Sequence, residues 1–232
     1  MIFYQGIALL QAGDDFPDPR DGPGNDPVAI GLELAPALML KGYQRGLFAW
    51  SDRPVSWWSP EPRAIFELDG FHVSHSLRKK LRRAPFRVTL DRAFLQVVNG
   101  CAMPRKHEGT WVTREFRRAF LQLHEMGFAH SVECWAGDAL VGGVFGVAIN
   151  GFFSAETMFS RVTDASKVGL YYLIETLRAS GFGLLDIQML TPHTKSLGAI
   201  EISRDEYLRR LERALAMRPE PLSPRDIFFK GA

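Results

Sequence analysis

Asp186 and Gln188 stand two residues apart in Leu184-Leu185-Asp186-Ile187-Gln188-Met189-Leu190, an apolar run as long as a buried strand. A strand turns alternate side chains to one face, so the two are expected side by side. A carboxylate in such company is costly unless a partner or a ligand engages it. A second acid, Glu156, has similar neighbours in Phe152-Phe153-Ser154-Ala155-Glu156-Thr157-Met158-Phe159. Two such acids can take a proton from an amine or anchor a cationic group. They can equally be structural carboxylates bonded to Arg161 or to backbone donors, and the residues alone leave both readings open.

Other residues carry chemistry of a different kind. From His75 to Arg87 there are six Lys/Arg and no acid, with Arg78, Lys79, Arg82 and Arg83 in one block. Such a helix attracts phosphates, although a solvated face has the same composition. Trp50 and Trp111 sit near loops, where an indole can stack on a nucleobase; Trp57 and Trp58 read better as plugs in a seam. His193 and Ser196 lie three apart in Thr191-Pro192-His193-Thr194-Lys195-Ser196, a spacing that fits capping better than nucleophilic catalysis. The chain has no GxSxG, Walker or GxGxxG motif, and its six histidines form no HExxH or Cys/His cluster, so no metal is expected.

The elements that must position these residues are legible in part. Residues 12–27 are rich in Gly, Pro and Asp and read as a loop, and Pro36 opens a short helix stopping near Gly46. Residues 63–68 look like a strand, and Ser74 caps the basic helix before Pro85. A strand near 86–90 leads to a helix over 91–100, and Thr113 caps a helix closed by Gly127. Strands over 129–135, 139–148 and 152–157 follow, with a hairpin turn at Asn150-Gly151. Ser166 starts a helix ended by Gly181, the Asp186 strand comes next, and Ser203-Arg-Asp-Glu206 is a capping box for the last helix. The strand–helix–strand order lays the Glu156 and Asp186 strands parallel. The fold class expected is α+β, with a small N-terminal domain over 1–70 and a catalytic domain over 71–232. By analogy the larger domain is an acetyltransferase-like (GNAT-type) mixed sheet.

Composition sets outer limits. At 232 residues, 46% hydrophobic and 23% charged, the chain is globular rather than disordered. Its net charge of +2 confines any nucleic-acid contact to a local patch. Cys101 and Cys134 are too few for a disulfide framework and fit two thiols in a reducing compartment. With no segment long enough to span a membrane, the expectation is a cytoplasmic protein.

At these residues the chain resembles the leucyl/phenylalanyl-tRNA–protein transferases. The resemblance runs in order through Tyr43-Gln-Arg-Gly-Leu-Phe-Ala-Trp50, Trp57-Trp-Ser-Pro-Glu-Pro-Arg-Ala64, Gly109-Thr-Trp-Val-Thr113, His124-Glu-Met-Gly-Phe-Ala-His-Ser-Val-Glu133 and Leu140-Val-Gly-Gly143. It continues through Glu156-Thr-Met-Phe-Ser-Arg161, Asp164-Ala-Ser-Lys167, Asp186-Ile-Gln188 and His193-Thr-Lys-Ser-Leu-Gly-Ala199. The chain departs from the family pattern at Ala49, where proline is usual, at Gly31-Leu32-Glu33, where Gly-Gly-Asp is typical, and at Thr191, where many members carry Asn. Val144 and Leu173 are smaller than in some relatives.

The resemblance implies an enzyme that moves Leu or Phe (Met less well) from aminoacyl-tRNA to the N-terminal amine of proteins beginning with Arg or Lys, marking them for degradation. It implies no cofactor and no membrane, and a monomer is expected. It gives Asp186, oriented by Gln188, the amine, and Glu156 the basic residue of the acceptor. It lines a donor pocket with Val144, Phe153, Met158, Leu170, Leu173, Leu177 and Leu185. Trp50 and Trp111 would sandwich the terminal adenosine, and Arg78, Lys79, Arg82 and Arg83 would hold phosphates. The rivals are an acyl-CoA-dependent acyltransferase, for which Ser160–Ser166 lacks a Gly-rich pyrophosphate loop, and a non-catalytic RNA-binding module.

Overall fold

The structure, a computed structural model, describes residues 2–103 and 110–227. Glu108 and Gly109, at the start of the Gly-Thr-Trp motif, lie outside the described residues, as do Met1 and residues 228–232 at the ends of the two expected domains. The chain opens with β1 (Ile2–Tyr4), β2 (Ile7–Leu10), β3 (Ala29–Gly31), α1 (Pro36–Gln44), β4 (Phe48–Asp52) and β5 (Val55–Trp58). It continues with β6 (Arg63–Phe66), α2 (His75–Arg83), β7 (Arg87–Leu90), α3 (Phe94–Cys101), α4 (Arg114–Glu125), β8 (Ala129–Ala136) and β9 (Ala139–Ile149). Then come β10 (Phe152–Ser160), α5 (Ala165–Ser180), β11 (Leu184–Gln188), α6 (Pro192–Ser196), β12 (Ile200–Ile202), α7 (Arg204–Ala216) and β13 (Arg225–Asp226).

Local chemistry accounts for the element ends. The hydroxyls of Ser74, Thr113 and Ser203 accept from the backbone N–H groups of Leu77, Phe116 and Glu206, so each cap expected from the sequence is made. The capping box at Ser203 is half formed, because the Glu206 carboxylate turns to Arg209 and Arg210 instead. Helix α5 starts one residue before Ser166, and Gly181, at φ +84°, ends it in the left-handed conformation.

The strands form two sheets. The smaller runs β1-β2-β3-β5-β4 and the larger β12-β6-β11-β10-β9-β8-β7-β13. Strand β6, within the first expected domain, therefore belongs to the larger sheet. The five short strands of the smaller sheet lack the long alternation that would have flagged them. Among the described residues of the larger sheet only β10 and β11 pair in parallel, as the crossover through α5 requires.

Alternation along the strands feeds two cores. Leu184, Phe152 and Phe145 face one side, with α3, α4, α7 and the smaller sheet; Leu185, Phe153 and Val144 face the other, with α2 and α5. The smaller sheet is thus tied to the first core. Trp57 is buried there and donates its indole N–H to the Gly31 carbonyl at 2.9 Å, a bond made within the smaller sheet. Cys101 is half-buried and Cys134 buried, and among the described residues neither is in a disulfide. Among the described residues no helix is long and apolar enough to cross a membrane.

Candidate active site

The site begins where two neighbouring strands stop pairing. β10 and β11 share the rungs Phe152–Leu184, Phe153–Leu185 and Ser154–Asp186. Just past the last rung both strands lose register against their other neighbours: β10 between Ala155 and Thr157, β11 between Asp186 and Gln188. Such an irregularity bends a strand and re-aims a side chain. Glu156 is the unpaired residue in β10. Gln188 takes a left-handed φ of +60°, and the Met189 N–H closes a three-residue turn onto the Ile187 carbonyl at 2.6 Å. A non-glycine residue in this region is strained, and strain of this kind collects at functional sites.

The two bends bring Glu156 and Gln188 together. Tyr43, on α1, donates its hydroxyl to Glu156 Oε1 at 2.9 Å, and Ser154 Oγ lies 3.0 Å from the same atom. The Gln188 amide lies 2.7 Å from Ser154 Oγ and 3.4 Å from Glu156 Oε1. With the amide turned over, its NH2 donates to the Ile187 and Ala155 carbonyls at 3.0 and 3.2 Å, and its oxygen accepts from Ser154. Burial pushes the Glu156 carboxyl up, and the Tyr43 and Ser154 hydrogen bonds hold it partly down, leaving a pKa of about 7. Burial and the Glu156 charge push the Tyr43 phenol well above its ordinary range, so it stays a donor.

Asp186 behaves otherwise. It is fully buried, and Arg63 grips it with two bonds, Nε to Oδ1 at 2.9 Å and Nη2 to Oδ2 at 2.6 Å. Oδ1 also accepts the Gln188 backbone N–H at 2.9 Å, and Oδ2 the Tyr207 hydroxyl at 3.1 Å. All four acceptor positions are filled and the group reaches neither cavity described below, so the expected contact between Asp186 and an incoming amine is corrected. Arg161 is not the partner; its guanidinium meets the Leu140 carbonyl and the Met103 sulfur. Burial disfavours the Arg63 charge, but Asp186 outweighs it and the guanidinium pKa is raised.

Glu156 and Gln188 stand at the junction of two cavities. The larger, of about 890 Å³, has Val144, Met158 and Leu170 on its wall, as expected. Phe153, Leu173, Leu177 and Leu185 do not line it; all four are buried in the core behind, where they set its shape indirectly. Phe66 and Ile187 complete the apolar wall in their place. The smaller cavity, of about 240 Å³, has both Trp50 and Trp111 on its wall, and Glu156 and Gln188 as well. Each indole is braced from its own side, Trp50 by Trp58 at 5.0 Å and Trp111 by Phe116 at 5.2 Å between ring centroids. Ser196 donates to the His193 carbonyl at 2.7 Å and Thr191 caps α6, so this segment is built as a capped turn.

Helix α2 lies by the larger cavity. Leu77 and Leu81 anchor it in the second core, while Arg78, Lys79, Arg82 and Arg83 are exposed and make no ion pair among the described residues. The segment entering α2 bonds to the turn after α6 through the His72 N–H and Leu197 carbonyl at 2.9 Å. Lys80 reaches the Thr163 carbonyl at 3.2 Å. Both α6 and the end of β10, at Ser160, contribute to the cavity wall, as does Arg161 just beyond.

Sequence reasoning missed two residues of the site, Tyr43 and Arg63. Both lie in quoted segments, and the signal for Arg63 was available: a lone cation opening the apolar strand Arg63-Ala64-Ile65-Phe66 needs a buried anion.

A mixed α/β sheet whose parallel strands part around a near-neutral carboxyl sets that group between a larger, part-apolar cavity and an indole-lined one, an arrangement with room for two ligands to meet. The model of the leucyl/phenylalanyl-tRNA protein transferases matches residues 65–212, and that of their N-terminal domain matches residues 33–61. The chain belongs to this family. A leucyl/phenylalanyl-tRNA–protein transferase of Enterobacter sp. (strain 638) is 47% identical over 88% of this chain and 89% of its own length. That of Klebsiella pneumoniae (strain 342) is 44% identical over 97% of this chain and 98% of its own. Among solved structures, L-PGS from Bacillus licheniformis is similar with a TM-score of 0.40 and 15% identity over 71% of this chain and 54% of that one, a likeness too slight to carry an argument.

Proposed function

We propose that this chain is an aminoacyltransferase that moves Leu or Phe, and Met less well, from aminoacyl-tRNA to the N-terminal amine of a protein beginning with Arg or Lys. The observation that carries this reading is the meeting of the two cavities at Glu156 and Gln188. The donor's terminal adenosine lies against Trp50 and Trp111, and its apolar side chain enters the larger cavity by Val144, Met158 and Leu170. The ester carbon then falls at the junction. Arg78, Lys79, Arg82 and Arg83 hold acceptor-stem phosphates. The acceptor's preference for Arg or Lys, a single-chain enzyme and a cytoplasmic site of action follow the family resemblance. The meander β8-β9-β10 leading through α5 to a parallel β11 supports an acetyltransferase-like (GNAT-type) sheet.

The chemistry needs little bond activation, because the donor ester is already reactive and positioning does most of the work. An α-amine has a pKa of about 7.7–8.0 and arrives mostly protonated. Glu156, poised near neutrality, accepts one of its protons, and the Gln188–Ser154 pair orients the carboxylate. The amine nitrogen forms a bond to the ester carbonyl carbon and the carbon–oxygen bond to the ribose breaks. The departing ribose oxygen takes up the proton held by Glu156, which restores the carboxylate, and the nitrogen sheds its second proton to solvent to leave the neutral amide. Asp186 acts on this reaction through Gln188 and not by touching the amine.

The test is transfer of radiolabel from Phe-tRNA to a peptide beginning with Arg. The expected result is a labelled peptide with the parent protein and none with a peptide beginning with Asp. Tight tRNA binding with no peptide labelled would instead favour the non-catalytic RNA-binding module.

A further inference from the structure

Arg63 occupies an unusual position for a cation. It is fully buried, at 0% exposure, between the rings of Tyr207 and Phe48, whose centroids lie 4.3 and 5.0 Å from its guanidinium carbon. Besides its two bonds to Asp186 it donates Nη1 to the Gly46 carbonyl at 3.2 Å and Nη2 to the Tyr207 hydroxyl at 3.2 Å. A buried ion pair is a poor device for stability alone, since packed apolar residues of the same volume often serve as well or better. What a guanidinium fork adds is direction, because its donors leave one plane at fixed angles.

The two arms of this fork end on opposite walls of the junction. One arm holds Gly46 and packs on Phe48, two residues before Trp50, and Phe48, Ala49 and Trp50 all line the smaller cavity. Gly46 is at φ +80°, and a Cβ there would come within 2.5 Å of Leu208, so the chain turns tightly at the point that Arg63 grips. The other arm holds Asp186, whose Oδ1 accepts the Gln188 N–H and so maintains the left-handed bend that aims Gln188 at Glu156.

We infer that Arg63 is a positioning residue for the transfer: it fixes the separation between the Phe48–Trp50 wall, where the donor's adenosine lies, and Gln188, which with Glu156 meets the acceptor amine. The inference rests on the proposed transfer reaction. A displacement of about 1 Å between reacting groups costs on the order of 10²-fold in rate, so loss of the fork reads out in the chemical step and not in tRNA binding.

The experiment compares the parent with Arg63→Lys, Asp186→Asn and the double variant. Lysine keeps the charge but cannot reach Asp186 and Gly46 together through fixed donors. Thermal unfolding gives the folded fraction, filter binding gives the Kd for Phe-tRNA, and the labelled-peptide assay gives kcat per folded molecule from pH 5.5 to 8.5. The expected result is a Kd within about threefold of the parent and a kcat about 10²-fold lower in each single variant. The double variant falls no further, because both residues act through one link. The rise in rate near pH 7 persists in Arg63→Lys, which keeps both charges, and moves to lower pH wherever Asp186→Asn removes the neighbouring charge that helps raise Glu156. The inference is overturned if Arg63→Lys keeps kcat within threefold, if the loss follows only the folded fraction, or if the single effects multiply. Should Arg63→Lys not fold, Asp186→Asn, of the same shape without the charge, carries the same comparison of kcat with Kd. A parent protein that labels no peptide sinks the proposed function and this inference together, whereas an active parent beside a fully active Arg63→Lys removes this inference alone.

Discussion

Replacing Glu156 by glutamine tests the site through stability and activity at once. The carboxyl rises from its ordinary 4.5 to about 7 in the folded protein, chiefly through burial. A raised acid binds more protons folded than unfolded between those two values. The folded state therefore loses stability as pH climbs through that interval, and above pH 7 the ionised carboxylate carries the full cost. At about 1.36 kcal/mol for each tenfold change in proton affinity, that cost reaches at most about 3 kcal/mol at pH 8. Solvent in the two cavities screens the half-buried group and reduces it.

Glutamine keeps the shape and cannot ionise. Its altered bonds to Tyr43 and Ser154 add an offset that does not depend on pH, and all other groups titrate alike in both proteins. The difference in Tm between Glu156→Gln and the parent should therefore grow in favour of the variant from pH 5 to pH 8. A chain of this length shifts by about 2–4 °C per kcal/mol, so the growth is at most on the order of 10 °C. Differential scanning calorimetry at the two pH values measures it. In the transfer assay the same variant loses kcat by about 10²–10⁴-fold at pH 8, the range for removing a general base, and the rise in rate near pH 7 disappears. A variant that gains stability relative to the parent as pH rises while losing activity is the expected trade at a buried proton acceptor. An equal Tm difference at pH 5 and pH 8 would refute the reasoning, because it would place the Glu156 carboxyl in ordinary solvent.

Trp50→Ala and Trp111→Ala should each raise KM for Phe-tRNA by about 5–150-fold, the range for losing one stacked base, and change kcat far less; a fall in kcat at unchanged KM would take the indoles out of donor binding. Replacing Arg78, Lys79, Arg82 and Arg83 together by alanine leaves Leu77 and Leu81 to hold α2 in place. It should flatten the salt dependence of tRNA affinity, lowering the slope of log K against log salt by about 3–4. An unchanged slope would mean that phosphates lie elsewhere.

The parts of the fold that rest on periodicity were legible in the sequence. Short apolar runs at 152–159 and 184–190 gave the two strands, the helix between them made the pair parallel, and Ser74, Thr113 and Ser203 marked helix starts because a cap is a contact over three residues. Contacts between remote segments were not legible. Arg63 and Asp186 are 123 residues apart, and nothing local to either says which ion the other meets. The donor pocket shows a second limit. Val144 and Leu173 are equally apolar and equally buried, yet one lines the cavity and the other backs it. Hydrophobicity records distance from water and not which atoms border a hollow.

The break in the sheet also explains why an acid sits in an apolar strand at all. Parting β10 from β11 removes ladder rungs beyond Ser154–Asp186, and each lost rung leaves backbone groups that must be bonded some other way. The Gln188 N–H goes to Asp186 and the Met189 N–H to the Ile187 carbonyl. Asp186 thus replaces a rung with a side chain, and as a buried anion it then requires Arg63. The strain at Gln188, the buried carboxylate and the buried guanidinium are three consequences of one break in the sheet, the parting of parallel strands that leaves Glu156 and Gln188 on the walls of both cavities. If the gap were closed by restoring the rung, none of the three would be needed. Keeping all three is what the proposed transfer at Glu156 and Gln188 asks of the sheet.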